Sequence, residues 1–158
     1  AGPFVSSLLG DFGADVIKIE HPVHDDPMRH WGPFKDGAGL SWKVVDRNKR
    51  LITLDLKQPK GADIFKRLLI GADIVIENFR PGVMLRLGLD YARLKQVNAD
   101  LVYCAISGFG QDGPNAHAPA YDQVVQGMAG VMAVTGTEES GPLRSGSPVA
   151  ATIGRAHV

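Results

Sequence analysis

The stretch RLITLDLKQPKGADIFKRLLIGADIVIEN, residues 50–78, places a helical pattern between two apolar runs. RLITLDL (50–56) and ADIVIEN (72–78) are short, rich in β-branched residues and typical of buried strands. PKGADIFKRLLIG (59–71) carries apolar residues at helical spacing, with a proline and a glycine near its ends. Strand, helix and strand in this order indicate neighbouring parallel strands with a helix on one face of the sheet.

The same alternation continues on both sides of this stretch. Upstream, FVSSLLGDFG (4–13) predicts a helix and ADVIKIE (14–20) a strand. Downstream, we predict helices over GVMLRLGL (82–89), YARLKQV (91–97) and YDQVVQGMAGVMAV (121–134). We predict a strand over LVYCAIS (101–107). Gly127 and Gly130 weaken the last helix, and HPVHDDPMRHWGPFKDGAG (21–39) is predicted to be a long loop. The fold class is therefore α/β, with a Rossmann-like parallel sheet and flanking helices.

Composition excludes several classes of function. The 158 residues carry 17 basic and 17 acidic side chains without a basic stripe, so a nucleic-acid surface is not expected. Cys104 is the single cysteine, which rules out an internal disulfide and favours a reducing compartment. No apolar run is long enough to cross a bilayer, so we expect no membrane association and a cytoplasmic location. The first residue is not Met and the last residues begin a new apolar segment, which predicts one partial domain, 1–158, truncated at both ends.

Two motifs suggest ligands that their context does not support. SGFGQDGP (107–114) contains G-x-G-x-x-G, but PNAHAPA follows it where a dinucleotide fingerprint needs a helix. We interpret it as a loop that uses glycine for backbone freedom. The second motif is a run of potential metal ligands interrupted by prolines, which we interpret as a solvated loop: His21, His24, Asp25, Asp26 and His30. We therefore assign no metal and no permanently bound cofactor.

Polar groups that follow two predicted strands indicate an anionic ligand. IENFRPG (76–82) places Asn78, Phe79 and Arg80 at the carboxyl edge of the sheet, where α/β folds bind ligands. Arg80 and Arg86 suit phosphates and Phe79 suits a flat ring. KRLITLDLK (49–57) brackets another strand with three basic residues. An ordinary strand-to-helix loop is the alternative for both segments.

Taken together, long segments of the chain resemble the family III CoA-transferases, the class of formyl-CoA, succinyl-CoA and carnitine-CoA transferases. The matching segments are AGPF, LLGDFGADVIKIEHP, DDPMRHWGP, NKRLITLDLK, ADIVIENFRPGVMLRLGLDY, LVYCAISGFGQDGP, PAYDQVVQGMAGVMAVTG and GSPVA. They occur in order and span almost the whole chain, which corresponds to the N-terminal part of the family's usual length. The resemblance implies a Rossmann-like domain of a larger chain that forms an interlocked homodimer.

The resemblance also implies a substrate, a site and a reaction. Coenzyme A or an acyl-CoA is the substrate, together with a small carboxylic acid. In the family an aspartate attacks the acyl-CoA carbonyl, expels the thiolate and becomes a mixed anhydride, after which CoA is loaded on the incoming acid. Ala1 and Gly2 are implied to lie near the reacting thioester. Carried over by position, the contacts to CoA involve His21, Leu54, Asp55, Leu56, Lys57, Asn78, Phe79, Arg80, Arg86 and the segment from Ala118 to Tyr121.

The sequence departs from the family pattern at the nucleophile. The family motif reads Pro-Val-small-Asp-Thr-Ile-Gly-Gly, whereas this chain has PVAATIGRAHV (148–158), with Ala151 at the aspartate position and Arg155 at a glycine. Alanine cannot form the anhydride, so we expect this chain to be inactive. Two alternatives remain open, an acyl-CoA racemase and a non-catalytic CoA-binding module. The racemases need a histidine base where this chain has Tyr121, and a tyrosine hydroxyl is a poor base at neutral pH.

Overall fold

A computed structural model describes residues 1–148. The helices, in chain order, are α1 (Gly2–Asp11), α2 (Leu40–Val45), α3 (Pro59–Leu69), α4 (Val83–Arg86), α5 (Tyr91–Val97), α6 (Asp122–Met128) and α7 (Val131–Thr135). The strands are β1 (Val16–Glu20), β2 (Phe34–Lys35), β3 (Ala38–Gly39), β4 (Lys49–Thr53), β5 (Ile74–Glu77) and β6 (Val102–Ala105). The chain divides into two compact units. The larger contains Gly2–Ile76 and Met84–Cys104, and the smaller contains Ala1, Glu77–Val83 and, of the described residues, 105–148.

Parallel strand pairs confirm the predicted α/β class. In the larger unit β1 pairs with β4 in parallel register, with Val16 opposite Lys49 and Glu20 opposite Thr53. The second pair consists of β5 and β6. The amide of Val102 donates to Asp73 and that of Ile106 to Glu77, both at 2.9 Å. The constant offset shows that these two strands also run parallel.

The core of the larger unit is built mainly from leucines of α3, α5 and the loops next to α5. Leu89 and Leu94 are completely buried, and Leu69 is 2% exposed. Met84 and Leu101 complete the buried cluster. Helix α3 begins at Pro59, whose missing N–H costs nothing at the first helical position. Asp90 caps α5 by accepting from the amide of Arg93. These caps explain why the sequence pattern located both helices well.

The segment 21–39 differs from the long loop that the sequence predicts. It contains a 3₁₀ helix at Pro27–His30 and a two-residue antiparallel pairing of β2 with β3. Asp26 caps the 3₁₀ helix by accepting from the amide of Met28 at 2.8 Å. Helix α2 follows directly after β3 and has no counterpart in the sequence prediction. These elements are too short to produce a periodic pattern.

The smaller unit contains the last helices. The sequence predicts one helix over 121–134, whereas the structure has two, α6 and α7. They are separated at Gly130, which adopts a left-handed conformation with φ of 77°. A residue with a side chain disfavours this conformation, so the glycine ends one helix and starts the next. Among residues 1–148, none of the helices has the length and apolar character required to cross a membrane.

Candidate functional site

A cleft opens in the smaller unit beyond the carboxyl ends of β5 and β6. It encloses about 530 Å³ of space, counting its open mouth. One wall is formed by Asn78 to Pro81, which follow β5. The opposite wall is formed by Ser107 and Gly108, which follow β6, by Ala116, and by Ala118 to Tyr121. The cleft therefore lies at the edge of a parallel pair where α/β folds place their ligands.

The strand end beneath the cleft is held by hydrogen bonds of its own side chains. Glu77 is 8% exposed, and its Oε2 accepts from the amide of Phe79 at 2.7 Å. Asn78 Nδ2 donates to the carbonyl of Ile106 at 2.7 Å, which ties the end of β5 to the end of β6. The nitrogen of Ala1 lies 3.2 Å from Asn78 Oδ1. The side chains of Glu77 and Asn78 therefore fix the backbone from which residues 79–81 continue.

The glycine-rich loop forms part of the second wall, and no helix begins at its third glycine, where a dinucleotide fingerprint needs one. Residues 111–118 form turns, and the next helix, α6, begins only at Asp122. Gly113 has φ of 88°, which favours glycine. A Cβ at Gly108 would overlap the Cβ of Ala120, so only glycine lets the loop and the 118–121 segment meet. Ser107 Oγ closes the loop by donating to the carbonyl of Gly110 at 2.7 Å. The interpretation as a loop is confirmed.

The cleft presents aromatic and cationic groups to solvent. Phe79 is 46% exposed and Tyr121 is 65% exposed, so both rings offer free surface to a ligand. Arg80 is exposed between Phe79 and Pro81 on the first wall. An open guanidinium and two open aromatic rings suit a ligand that combines an anion with flat or apolar parts.

In the larger unit, other predicted contact residues meet at the carboxyl edge of β1 and β4. His21 follows β1 directly, and its Nε2 lies 3.6 Å from Asp55 Oδ1, two residues after β4. His21 Nδ1 accepts from the amides of Val23 and His24 at 3.1 and 3.0 Å. Since Nδ1 is an acceptor, the ring proton of a neutral His21 sits on Nε2 and faces Asp55. Asp55 Oδ1 also accepts from the amide of Lys57 at 2.9 Å, and the Lys57 side chain is exposed.

Charged side chains of β1, β4, the 3₁₀ helix with its cap and the C-cap of α2 form a network that we call the Lys18 cluster: Lys18, Glu20, Asp26, Arg29, Asp46 and Lys49. Lys18 Nζ lies 3.1 Å from Glu20 Oε1 and 2.5 Å from Asp26 Oδ2, and it also pairs with Asp46. Glu20, Asp26 and Asp46 are the one set of three potential metal ligands that residues 1–148 bring within 4.8 Å of one another. The Lys18 ammonium group lies at ion-pair distance from all three carboxylates, so the protein itself supplies a positive charge that balances them.

Burial and pairing shift the pKa values in this cluster in different directions. Burial disfavours the Glu20 carboxylate, but hydrogen bonds from Arg29 and Lys18 outweigh burial and lower its pKa below the ordinary 4.5. Burial also opposes the Lys18 cation, yet Asp26 and Asp46 raise its pKa. For Lys49 burial prevails over Asp46 and lowers the pKa. Its side chain has no exposed surface, and Nζ donates to the carbonyls of Pro3 and Val45 at 2.7 and 2.8 Å.

The structure brings some of the predicted site residues together within each unit. Asn78, Phe79, Arg80 and the 118–121 segment line one cleft. His21 and Asp55 meet in the larger unit, where Leu54 and Leu56 are half-buried beside them in sequence. Arg86 is exposed at the end of α4. Ala151 lies outside the described residues. Of the five potential metal ligands of the 21–30 segment, Asp26 joins the Lys18 cluster, His30 contacts Asp25 at 3.0 Å, and His21 stacks on His24.

Sequence reasoning missed Gln126. This side chain is completely buried in α6, and its Oε1 accepts from the amide of Ser145 at 2.8 Å. Its Nε2 donates to Asp122 and, at 3.5 Å, to the carbonyl of Ser147. The available signal is a polar residue that follows two valines, Val124 and Val125, within the helix. Only a packed partner segment explains why an amide is buried there.

Comparisons with known proteins agree on one family. Residues 1–157 match the family model described as CoA-transferase family III. The succinate–glutarate CoA-transferase of Agrobacterium fabrum is 45% identical over 157 residues, covering 95% of this chain and 39% of that protein. The acetyl-CoA:oxalate CoA-transferase of Acetobacter aceti is 47% identical over 145 residues, covering 92% and 37%. The chain thus spans about two fifths of the length of these relatives.

A solved structure gives the same result. A CAIB/BAIF family protein from Brucella suis is similar with a TM-score of 0.89 and 43% identity. The match covers 95% of this chain and 41% of that one. The similarity in fold therefore extends over the same share of the chain as the similarity in sequence.

Proposed function

Because this chain belongs to CoA-transferase family III, we propose that it is part of an enzyme that moves coenzyme A from an acyl-CoA to a carboxylic acid. The observation that carries the proposal is the cleft at the carboxyl edge of β5 and β6. Its walls are residues that the family resemblance assigns to CoA, Asn78 to Arg80 and Ala118 to Tyr121. The curated relatives are named for CoA transfer between succinate and glutarate and from acetyl-CoA to oxalate.

The chemistry of coenzyme A fits the groups in this cleft. The ligand carries phosphates, which a guanidinium binds through paired hydrogen bonds, and Arg80 is exposed on the first wall. It also carries an adenine ring, which stacks on aromatic side chains, and Phe79 and Tyr121 are open to solvent. The family resemblance also assigns His21, the segment from Leu54 to Lys57 and Arg86 to CoA.

In the proposed reaction, the acyl group of the donor acid on the thiol of coenzyme A is replaced by that of the acceptor acid. A carboxylate oxygen of the enzyme attacks the thioester carbon, the carbon–sulfur bond breaks, and the thiolate leaves with the electron pair. The mixed anhydride then reacts with the thiolate at the enzyme's carbonyl, which releases the donor acid and leaves an enzyme–CoA thioester. The acceptor carboxylate repeats both steps in reverse and restores the enzyme carboxylate. Exclusion of water protects the anhydride, which hydrolysis would destroy.

Ala151 is incompatible with that cycle, so we propose that the chain as given binds CoA without turnover. The methyl group of alanine has no lone pair with which to attack a carbonyl carbon. The second candidate function, a non-catalytic CoA-binding module, follows from this one position. The racemase alternative is weaker, because the proposed base position holds Tyr121, which is 65% exposed.

The decisive experiment restores the carboxylate. Ala151→Asp in the complete protein is assayed with succinyl-CoA or acetyl-CoA as donor and glutarate or oxalate as acceptor, and CoA binding is measured by calorimetry. Ala150→Asp is the matched control, because it adds the same charge one residue away. We expect both variants and the parent to bind CoA, and only Ala151→Asp to exchange acyl groups.

Each other result refutes a part of the proposal. Exchange by the parent refutes the inactivity assigned to Ala151. CoA binding by Ala151→Asp without exchange for any donor and acceptor refutes the transferase reaction and leaves the binding module. No CoA binding by any of the three proteins refutes the site itself. The interlocked homodimer and the cytoplasmic location are part of the same proposal, and sedimentation of the complete protein measures the first of them.

A further inference from the structure

The parallel pair of β5 and β6 ends in an irregular way beneath the cleft. In a regular parallel ladder, a residue that donates its N–H to one residue of the neighbouring strand accepts from the N–H two residues further along that strand. The amide of Ile106 donates to the carbonyl of Glu77 at 2.9 Å. The next bond of the ladder would therefore join the amide of Phe79 to the carbonyl of Ile106.

Side chains take over both ends of that next bond. The amide of Phe79 donates instead to Oε2 of Glu77 at 2.7 Å. The carbonyl of Ile106 accepts from Nδ2 of Asn78, also at 2.7 Å. Both backbone groups are thus satisfied although Phe79 does not join the ladder. Strand β5 accordingly ends at Glu77, and the residues that follow are free to form the first wall of the cleft.

A carboxylate at the end of β5 suits this exchange of partners. Glu77 is 8% exposed, so water competes little for the amide of Phe79. An ionised carboxylate accepts hydrogen bonds and donates none. It also binds an N–H more strongly than a neutral carbonyl does, which favours the turn over a continued ladder. The direction in which the chain leaves β5 therefore depends on the Glu77 side chain.

We propose that Glu77 is a positioning residue for coenzyme A: by accepting from the amide of Phe79, it holds Phe79 and Arg80 on the first wall of the cleft. This inference rests on the proposed function, because these two side chains have a ligand to meet only if the cleft binds CoA. It assigns to Glu77 no contact with CoA and no step of the reaction. Loss of the carboxylate acts on CoA affinity through the residues that follow it.

The first test measures CoA affinity by calorimetry in the complete protein. Glu77→Met keeps the length of the side chain and removes the strong acceptor, whereas Glu77→Gln keeps an acceptor oxygen without the charge. Glu139→Met is the matched control, because it removes an exposed carboxylate of the same unit. We expect the affinity to fall about tenfold in Glu77→Met, which corresponds to one buried hydrogen bond. It should stay within about threefold of the parent in Glu77→Gln and be unchanged in Glu139→Met.

A double-mutant cycle shows whether Glu77 acts through the first wall. Arg80→Ala removes a side chain that the turn positions, so there is less for Glu77 to hold in place. In that background, Glu77→Met should weaken CoA binding by about threefold or less. A merely structural role would weaken CoA binding by the same factor with and without Arg80.

Hydrogen exchange follows the turn itself and needs no ligand. In Glu77→Met the carbonyl of Ile106 keeps its bond from Asn78, so the amide of Phe79 loses its acceptor and should exchange about tenfold faster. It should stay slow in Glu77→Gln. The amide of Leu143, which donates to Met132 at 3.0 Å in the same unit, reports whether the unit remains folded. If exchange at Leu143 also accelerates, Glu77→Val replaces Glu77→Met with the same expectations, because a β-branched side chain suits the end of a strand.

The outcomes separate this inference from the function on which it rests. A Phe79 amide that stays slow in Glu77→Met overturns the inference, and so does an unchanged CoA affinity in that variant. An equal loss of affinity in Glu77→Gln, or an additive double-mutant cycle, overturns it as well. If the parent does not bind CoA, the proposed site fails, and hydrogen exchange at Phe79 alone decides whether Glu77 holds the turn.

Discussion

Asp46 offers the sharpest test of how the larger unit is held together. Its side chain is 2% exposed, and its two oxygens pair with different ammonium groups, Oδ1 with Lys49 at 3.0 Å and Oδ2 with Lys18. Asp46→Asn preserves the shape but removes the charge. Lys18 then keeps two other carboxylates, Glu20 and Asp26, whereas Lys49 keeps only the carbonyls of Pro3 and Val45. Lys49 is therefore left as a buried cation without a carboxylate.

The expected loss of stability follows from these contacts. Two hydrogen bonds between charged groups contribute about 1.5–3 kcal/mol each, and the asparagine oxygen retains one weaker bond of about 1 kcal/mol. Asp46 also ends α2, where a negative charge opposes the helix dipole, so its neutralisation returns about 0.5 kcal/mol. The free energy of unfolding should fall by about 3 kcal/mol, in the range for breaking a buried ion pair from one side.

Urea unfolding followed by tryptophan fluorescence measures this change, because both tryptophans, Trp31 and Trp42, lie in the same unit. Asp15→Asn is the control: it makes the same chemical change in the pair with Arg50, where the Asp15 side chain is 69% exposed. Exposed pairs contribute little, so this variant should lose about 0.5 kcal/mol or less. If the free energy of unfolding falls by less than about 1 kcal/mol in Asp46→Asn, or equally in both variants, the Lys18 cluster does not stabilise the larger unit to the expected extent.

Three further outcomes are expected. Gly108→Ala should weaken CoA binding about tenfold, because its Cβ overlaps that of Ala120 and the strain of about 1–3 kcal/mol moves the second wall of the cleft. Arg80→Ala should weaken CoA binding about tenfold in low salt and less in high salt, since a phosphate contact is lost and salt screens the exposed charge. Glu20→Gln should reduce stability at neutral pH, and the difference in stability between this variant and the parent should narrow as the pH falls below 4.5. The sign follows from the lowered pKa of Glu20: its stabilisation is present above the ordinary value of 4.5 and is lost as pH falls through the folded-state pKa.

Each of these outcomes has a control of the same type. Gly71→Ala adds a Cβ in open space and should leave CoA binding unchanged. Arg67→Ala removes an exposed arginine from α3, and an equal loss of CoA affinity there would show that Arg80 acts only through general charge. Glu139→Gln removes an exposed carboxylate. If the difference in stability between Glu139→Gln and the parent narrows at low pH as much as it does for Glu20→Gln, the Lys18 cluster is not the origin of the loss of stability in acid.

The sequence was sufficient for the four strands of the two parallel pairs and for helices α3 and α5, since their signals are local. ADIVIEN contains β5, RLITLDL contains all of β4 except Lys49, and helix α5 occupies the residues 91–97 that its pattern predicts. The 3₁₀ helix and the β2–β3 pairing were not predictable, because their anchors are distant in sequence. Arg29 reaches Glu20, with Nε 2.9 Å from Oε2, and lies 3.9 Å from the centre of the Trp42 ring. No pattern within 21–39 reveals those partners.

The cleft was partly predictable for a general reason. Parallel strands end at a common edge, so polar residues after ADIVIEN were expected to reach a ligand, and Asn78 to Arg80 do line the cleft. Gln126 was not predictable, because its burial depends on Ser145, 19 residues further along the chain. The individual CoA contacts and the role of position 151 remain predictions.

The position of the Lys18 amine has a consequence for the ionic conditions under which the larger unit folds. Three carboxylates within 4.8 Å would normally draw a divalent ion from solution. Here the balancing positive charge is the Lys18 ammonium group. Because Lys18 is part of the chain, its local concentration does not depend on the ions in solution. The docking of the 21–39 segment onto β1 should therefore tolerate chelators and be unaffected by millimolar calcium or magnesium. A tethered cation makes this part of the fold independent of the ions around it.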